Sequence, residues 1–185
     1  MKQAYIIAGP NGSGKTVLAK ELIEELKLPF INADEIALTL APAEDIARVR
    51  VKAGKLFLRK LTEHIRKGRS FIVETTLAGR NFAEIIRKMK RDGYEVILIY
   101  VFVENPQEAI NRIKLRVAKG GHPVPDEDVI RRFSRSKKNF WDIYRKLADR
   151  WKMFLNSEDD FLLIAVGDKE EYNIISENGF ALFRD

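Results

Sequence analysis

Gly9-Pro10-Asn11-Gly12-Ser13-Gly14-Lys15-Thr16 stands between an apolar run at residues 3–8 and a segment, residues 15–27, that places Val17, Leu18, Leu22, Ile23 and Leu26 on one helical face. A buried strand, a glycine-rich turn and a helix, in that order, make a phosphate-binding loop. The glycines let successive backbone N–H groups point inward as an anion nest, and the helix N-terminus adds partial positive charge. Lys15 is expected to reach the β- and γ-phosphates of ATP or GTP, and the Thr16 hydroxyl to ligate Mg²⁺. The expected nucleotide-binding set is Gly9, Pro10, Asn11, Gly12, Ser13, Gly14, Lys15, Thr16 and Val17. An ordinary glycine turn does not account for the Lys-Thr pair.

Outward from the loop, residues 30–31 close a second short strand ahead of Asn32-Ala33-Asp34. Residues 43–67 predict a long helix with an apolar stripe of Ile46, Val49, Ala53, Leu56, Leu61 and Ile65; its many Lys and Arg residues read as a solvated face. Residues 70–73 form a third strand that leads into Glu74-Thr75-Thr76. A helix over 79–92 ends at Gly93, a left-handed C-cap. Residues 95–103 are nearly all apolar, as in a strand covered on both faces. Pro106 opens a helix that reaches about residue 119, and Gly120-Gly121-His122-Pro123-Val124-Pro125 is loop punctuation. A helix from Asp126 is expected to carry Phe133, Phe140, Trp141, Tyr144, Leu147, Trp151 and Phe154, read as core rather than as a base-stacking platform. Residues 161–166 make a fifth strand, and the remainder reads as β with Asn178-Gly179 at a hairpin turn.

Strands alternating with helices imply parallel, right-handed βαβ units. The fold expected is a P-loop NTPase: three-layer α/β/α, with a mainly parallel five-stranded sheet, a helical lid near residues 112–136 and a C-terminal β hairpin. Without an internal repeat or a second composition, residues 1–185 read as a single domain. The 185 residues, 45% hydrophobic and 32% charged, suit a globular α/β protein with a real core. No cysteine is present, which excludes disulfides and thiolate metal sites. The phosphate motif begins too close to Met1 for a cleavable leader, and no apolar run approaches the roughly 20 residues of a membrane span. A cytoplasmic protein with no membrane partner is expected. The net charge of +6 is uneven: residues 112–152 hold thirteen Lys or Arg against five Asp or Glu. Such a stretch suits either nucleic acid or a nucleotide triphosphate.

Asp34 ends the second strand, on the edge that faces the ligand crevice in open α/β sheets. A carboxylate there accepts a proton from an attacking hydroxyl, or caps the next helix; position alone leaves both open. Glu74, Thr75 and Thr76 end the third strand on the same edge. One carboxylate and two hydroxyls suit hydrogen bonds to a polar substrate, with an outer role at magnesium the alternative for Glu74. Asn32, Asp34, Glu74, Thr75 and Thr76 are therefore the candidate substrate contacts. Arg112, Arg116, Arg131, Arg132 and Arg135 flank the Gly-Gly-His-Pro loop. A lid that brings arginines over the γ-phosphate stabilises transition-state charge. Arg116 before the loop, and Arg132 and Arg135 three apart after it, are the candidates. His64 and His122 receive no assignment.

In these residues the chain resembles the zeta-toxin family of small P-loop kinases. The resemblance covers roughly residues 3–140, through the phosphate loop, Asn32-Ala33-Asp34-Glu35, Glu74-Thr75-Thr76-Leu77, Gly93-Tyr94-Glu95-Val96, residues 116–125 and Arg131-Arg132-Phe133-Ser134-Arg135-Ser136. It implies transfer of the ATP γ-phosphate, in the best-known members to the 3′-hydroxyl of UDP-N-acetylglucosamine. It also implies a base at Asp34, substrate contacts at Glu74 and Thr76, a phosphate contact at Arg116, and for toxin members an antitoxin protein that blocks the nucleotide site. Arg132 and Arg135 are substitutes for arginines that the Gly120-Gly121-His122 loop replaces. The expectation is an ATP- and Mg-dependent kinase with a hydroxyl acceptor on a small polar metabolite, such as a nucleotide sugar. The alternatives are a polynucleotide kinase or nucleic-acid-associated ATPase, and a non-catalytic nucleotide-binding module.

Overall fold

The structure, a computed structural model, describes residues 1–41, 46–157, 160–169 and 171–184. Its elements run β1 (Lys2–Ala8), α1 (Lys15–Leu26), β2 (Phe30–Asn32), α2 (Ala33–Leu40), α3 (Ile46–Arg66), β3 (Phe71–Thr75), α4 (Phe82–Arg91), β4 (Tyr94–Phe102) and α5 (Pro106–Ala118). Then come α6 (Asp126–Asn139), a π-helical turn (Phe140–Tyr144), α7 (Arg145–Leu147), β5 (Arg150–Ser157), β6 (Asp160–Asp168), β7 (Glu171–Ile174) and α8 (Glu177–Arg184). The strands form one sheet in the order β2-β3-β1-β4-β5-β6-β7. The first five are parallel, and β6 and β7 add antiparallel.

Strand side chains alternate between faces, and the burial follows that period. Ile6, Phe71 and Val73 enter the larger core with Phe57, Leu61 and Ile65 of α3 and Ile86 and Met89 of α4. Their neighbours Ile7 and Ile72 face the opposite way, against Ala19, Leu22 and Ile23 of α1. Helices thus cover both faces, as the apolar strands require. A third cluster joins α5 to α6 through Ile110, Ile113, Val129 and Phe133, and takes in Val124 from the connecting loop. No helix among the described residues is long and apolar enough to cross a membrane.

Caps follow the expected chemistry at two ends. Gly93 has a φ of 79° after α4, and Pro106 opens α5 behind Asn105, whose side chain accepts the Glu108 N–H. The C-terminal third departs from expectation. The helix from Asp126 does not reach Trp151 or Phe154; both lie in β5, so the sheet has seven strands rather than five. Trp141, Tyr144, Leu147, Trp151 and Phe154 mimic a helical period, while Trp151, Met153 and Leu155 bury with the two-residue period of a strand. Asn178-Gly179 is not a hairpin turn: both residues lie inside α8. At Gly179 the helix passes close to β6: a Cβ there would meet Ile164 Cδ1 at 2.3 Å. The antiparallel additions are instead β5–β6 and β6–β7. Of the long helix expected over 43–67, residues 43–45 lie outside the described residues.

Trp151 is 1% exposed and packs edge-on against Phe140, ring centroids 5.6 Å apart. Trp151→Ala is expected to cost about 3–5 kcal/mol through lost burial and a residual cavity. Urea unfolding should show a lower midpoint at unchanged slope.

Candidate active site

The register of the parallel strands brings the chemistry to one edge. Ala8 pairs with Thr75, and Asn32 with Glu74, so the phosphate loop, the β2–α2 junction and the end of β3 meet at the carboxyl ends of adjacent strands. The loop is pressed on by its neighbours. A Cβ on Gly9 would lie 1.9 Å from the Val101 carbonyl oxygen, on Gly12 2.5 Å from that of Ala109, and on Gly14 2.1 Å from Asn156 Nδ2. Only glycine fits this close approach at positive φ. The Asn156 amide donates to the Ser13 carbonyl at 3.0 Å, and Arg112 donates to the Asn156 carbonyl at 3.1 Å. Asn156 escapes sequence reading because its strand does.

Lys15 is buried and donates to the Pro10 carbonyl at 2.7 Å, across the mouth of its own loop. Burial holds the pKa of its ammonium down, against the opposing pull of Glu74 and Asp34. Glu74 is 9% exposed. It accepts from the Thr16 hydroxyl at 2.9 Å and from the Asn32 amide at 3.1 Å. Burial raises its pKa, opposed by Lys15 and then by the Thr16 hydroxyl. Among the described residues no group of three or more acidic, His or Cys side chains could enclose a metal. Thr16 and Glu74 fit the other arrangement, in which Mg²⁺ takes one or two protein oxygens and completes its shell from phosphate and water.

The two roles left open for Asp34 separate here. The N-cap of α2 is Asn32, whose Oδ1 accepts the Asp34 N–H at 2.8 Å. Asp34 is the second residue of the helix, with a half-exposed side chain in the cleft. Its Oδ2 lies 3.4 Å from His122 Nε2. The His122 imidazole facing it is the main influence holding its carboxyl below the usual range; burial opposes it, and Lys15 and Arg116 assist.

These residues line a cleft of about 260 Å³ between the loop and α3, shared by Asn11, Lys15, Asn32, Asp34, Glu74, Thr75, Thr76 and His122. Arg50 and Arg132 close its far side, tied to the one carboxylate of Asp128 at 3.8 Å and 3.0 Å. Arg50 was hidden among the solvated cations of its helix. Arg116 acts electrostatically on both Lys15 and Asp34, and its guanidinium donates to the His122 carbonyl at 3.0 Å. Arg135 is exposed on α6 and is not among the residues lining the cleft. The chain after β3 is fixed by groups that sequence reading passed over. Ser136 donates to the Thr76 carbonyl at 2.6 Å, Asn139 to the Leu77 and Ala78 carbonyls, and Tyr144 to that of Gly79. Leu77 has a φ of 52°, a left-handed conformation that these anchors hold. Much of the basic stretch at 112–152 is also engaged: Arg131 and Lys138 pair with Asp128 and Asp142, and Arg150 with Glu95.

Comparison with known proteins fixes the family. The family model described as Zeta toxin matches residues 1–165. This chain belongs to the zeta-toxin family. A Haemophilus influenzae protein described as uncharacterized is 32% identical over 133 residues, 70% of this chain and 90% of its own length. Among solved structures, the zeta-toxin chain is similar to AvrRxo1-ORF1:-ORF2 with ATP, at a TM-score of 0.78 and 18% identity, covering 98% of this chain and 63% of that one. It therefore spans less than two thirds of that relative. The PezAT toxin–antitoxin system of Streptococcus pneumoniae is similar at a TM-score of 0.64 and 16% identity, with 100% and 84% covered. These structural likenesses show that the zeta-toxin chain shares their α/β fold.

Proposed function

We propose that this zeta-toxin relative transfers the γ-phosphate of ATP to a hydroxyl of a small polar metabolite. One observation carries the reading: Lys15, the half-exposed Asp34 carboxylate and Glu74, which accepts from the Thr16 hydroxyl, line a single cleft beside the phosphate loop. ATP with Mg²⁺ supplies the phosphoryl group and the charge neutralisation on it. The loop N–H groups and Lys15 hold the phosphates, and Thr16 and Glu74 present oxygens where the ion would sit. Asp34 takes the proton from the acceptor hydroxyl, while Asn32, Thr75 and Thr76 orient that acceptor. Arg116, which is exposed and outside the cleft lining but whose charge acts on Lys15 and Asp34, would stabilise charge developing on the phosphates.

The acceptor side of the cleft carries Arg50 and Arg132, which favour an acceptor with an anionic group. UDP-N-acetylglucosamine, the acceptor that the family resemblance implies, is the first to test. A protein partner that covers the cleft is proposed on the same ground, since similar structures were solved with AvrRxo1-ORF2 or belong to a toxin–antitoxin system.

The test is incubation with ATP, Mg²⁺ and a panel of nucleotide sugars, nucleosides and oligonucleotides, followed by mass spectrometry. A metabolite heavier by one phosphate is the expected result. ATP turnover with no phosphorylated acceptor would overturn the reading in favour of a plain ATPase. A phosphorylated oligonucleotide end would replace the metabolite by nucleic acid.

A further inference from the structure

Phosphoryl transfer leaves the buried imidazole of His122, in the cleft, without a task. His122 is 8% exposed, yet its Nε2 faces the Asp34 carboxylate. We propose that His122 is a positioning residue, holding the Asp34 carboxylate in the orientation from which it takes the acceptor's proton. The proposal rests on the phosphoryl-transfer reading of the same site.

The loop is built to deliver this side chain. At the end of α5 the Gly121 N–H donates to the Arg116 carbonyl and the Gly120 N–H to the Val117 carbonyl, both at 2.9 Å. This paired closure needs a left-handed residue, and Gly120 supplies it with a φ of 86°. At Gly121 a Cβ would lie 2.6 Å from Arg116 Cγ, so the chain passes tightly against that side chain. Arg116 then grips the His122 carbonyl, and Val124 is buried between α5 and α6. His122 is thus held from both sides along the chain. Burying an imidazole costs free energy unless it is hydrogen-bonded, and the nearby Asp34 oxygen is an acceptor. The 3.4 Å separation is longer than a fully formed N–H···O bond. Catalytic hydrogen bonds commonly tighten from such lengths when substrate binds.

The contact has a consequence that mere packing would not have. Asp34 is faced by Lys15 from α1, Arg116 from α5, Glu74 from β3 and His122 from the loop. Without His122 the Asp34 carboxyl should rise towards its ordinary pKa. The base must be ionised, so the acidic limb of turnover against pH should move to higher pH.

The experiment compares wild type, His122→Leu and His122→Gln, which keeps an N–H donor. The Asp34 carboxyl is titrated by NMR in aspartate-labelled protein, and kcat and KM are measured with ATP, Mg²⁺ and UDP-N-acetylglucosamine or whichever panel member is phosphorylated. In His122→Leu the Asp34 titration and the acidic limb should both move up, with kcat about 10- to 100-fold lower and KM for ATP little changed. His122→Gln should recover most of kcat. A retained thermal shift with ATP separates these effects from misfolding. An Asp34 titration identical in all three proteins overturns the positioning role while leaving the kinase reading intact. Wild type that phosphorylates no panel member, with Asp34 still responding to His122, overturns the kinase reading and with it the catalytic role of the pair.

Discussion

Lys15→Ala is expected to abolish the nucleotide-dependent rise in melting temperature and to slow phosphoryl transfer by at least about 10³-fold. The effect is large because, among the described residues, the neighbouring cations are already engaged. Arg116 is tethered to the His122 carbonyl, and Arg50 and Arg132 are held across the cleft by Asp128. Loss of the fold is the competing explanation, and the magnitudes argue against it. The bond to the Pro10 carbonyl is worth about 1.5–3 kcal/mol. Removing a charge that burial disfavours offsets part of that loss. Glu74 also keeps its bonds from Thr16 and Asn32. At ATP concentrations 100-fold above Kd, wild type should gain about 2.7 kcal/mol, a rise of about 5–10 °C for a chain of this size. Scanning fluorimetry with and without ATP and Mg²⁺ reads both proteins. An undiminished rise in the variant would show that the nucleotide is held elsewhere.

The phosphate loop, Asp34, Glu74 and Thr76 were legible in the sequence for one reason. Each lies at the end of a strand or within two residues beyond it, and in a parallel sheet the carboxyl ends share an edge, so linear position translates directly into place. Two kinds of residue lacked that link. Asn156 supports the loop from the end of β5, but the aromatic spacing before it reads as a continuing helix, and the strand disappears with its last residues. His122 carried a visible signal in its Gly-Gly-His-Pro setting. Its partner, however, sits on α2, far along the chain, and no periodicity relates a lid loop to a helix across a cleft. The N-cap of α2 shows the same limit at short range. Asn32 and Asp34 are both good capping residues two positions apart, and only the geometry assigns the cap to Asn32. The basic excess at 112–152 misled in the opposite direction. Its charges were countable, but the acids that meet several of them lie in other elements or a helical turn away.

Asp34→Asn should fold, bind ATP and melt near the wild-type temperature, yet transfer phosphate about 10²- to 10⁴-fold more slowly. Asparagine keeps the size of the side chain and can still meet His122, but cannot accept the acceptor's proton. The structural cost is small because Asp34 does not cap α2. What it gives the helix is a negative charge in the first turn, worth about 0.3–1 kcal/mol. Asn32→Ala supplies the contrast. It removes the cap, at a cost of about 1 kcal/mol, and takes from the buried Glu74 its amide donor. If the two positions served only the helix, Asn32→Ala would be the more damaging change and Asp34→Asn would be silent. Proton acceptance at Asp34 reverses that order in the transfer assay while preserving it in the melting curve. The assay must follow phosphorylated acceptor, because hydrolysis of ATP by water needs no acceptor hydroxyl and can persist. Full transfer by Asp34→Asn would remove Asp34 as the base and leave Glu74, whose pKa burial already raises, as the carboxylate to examine.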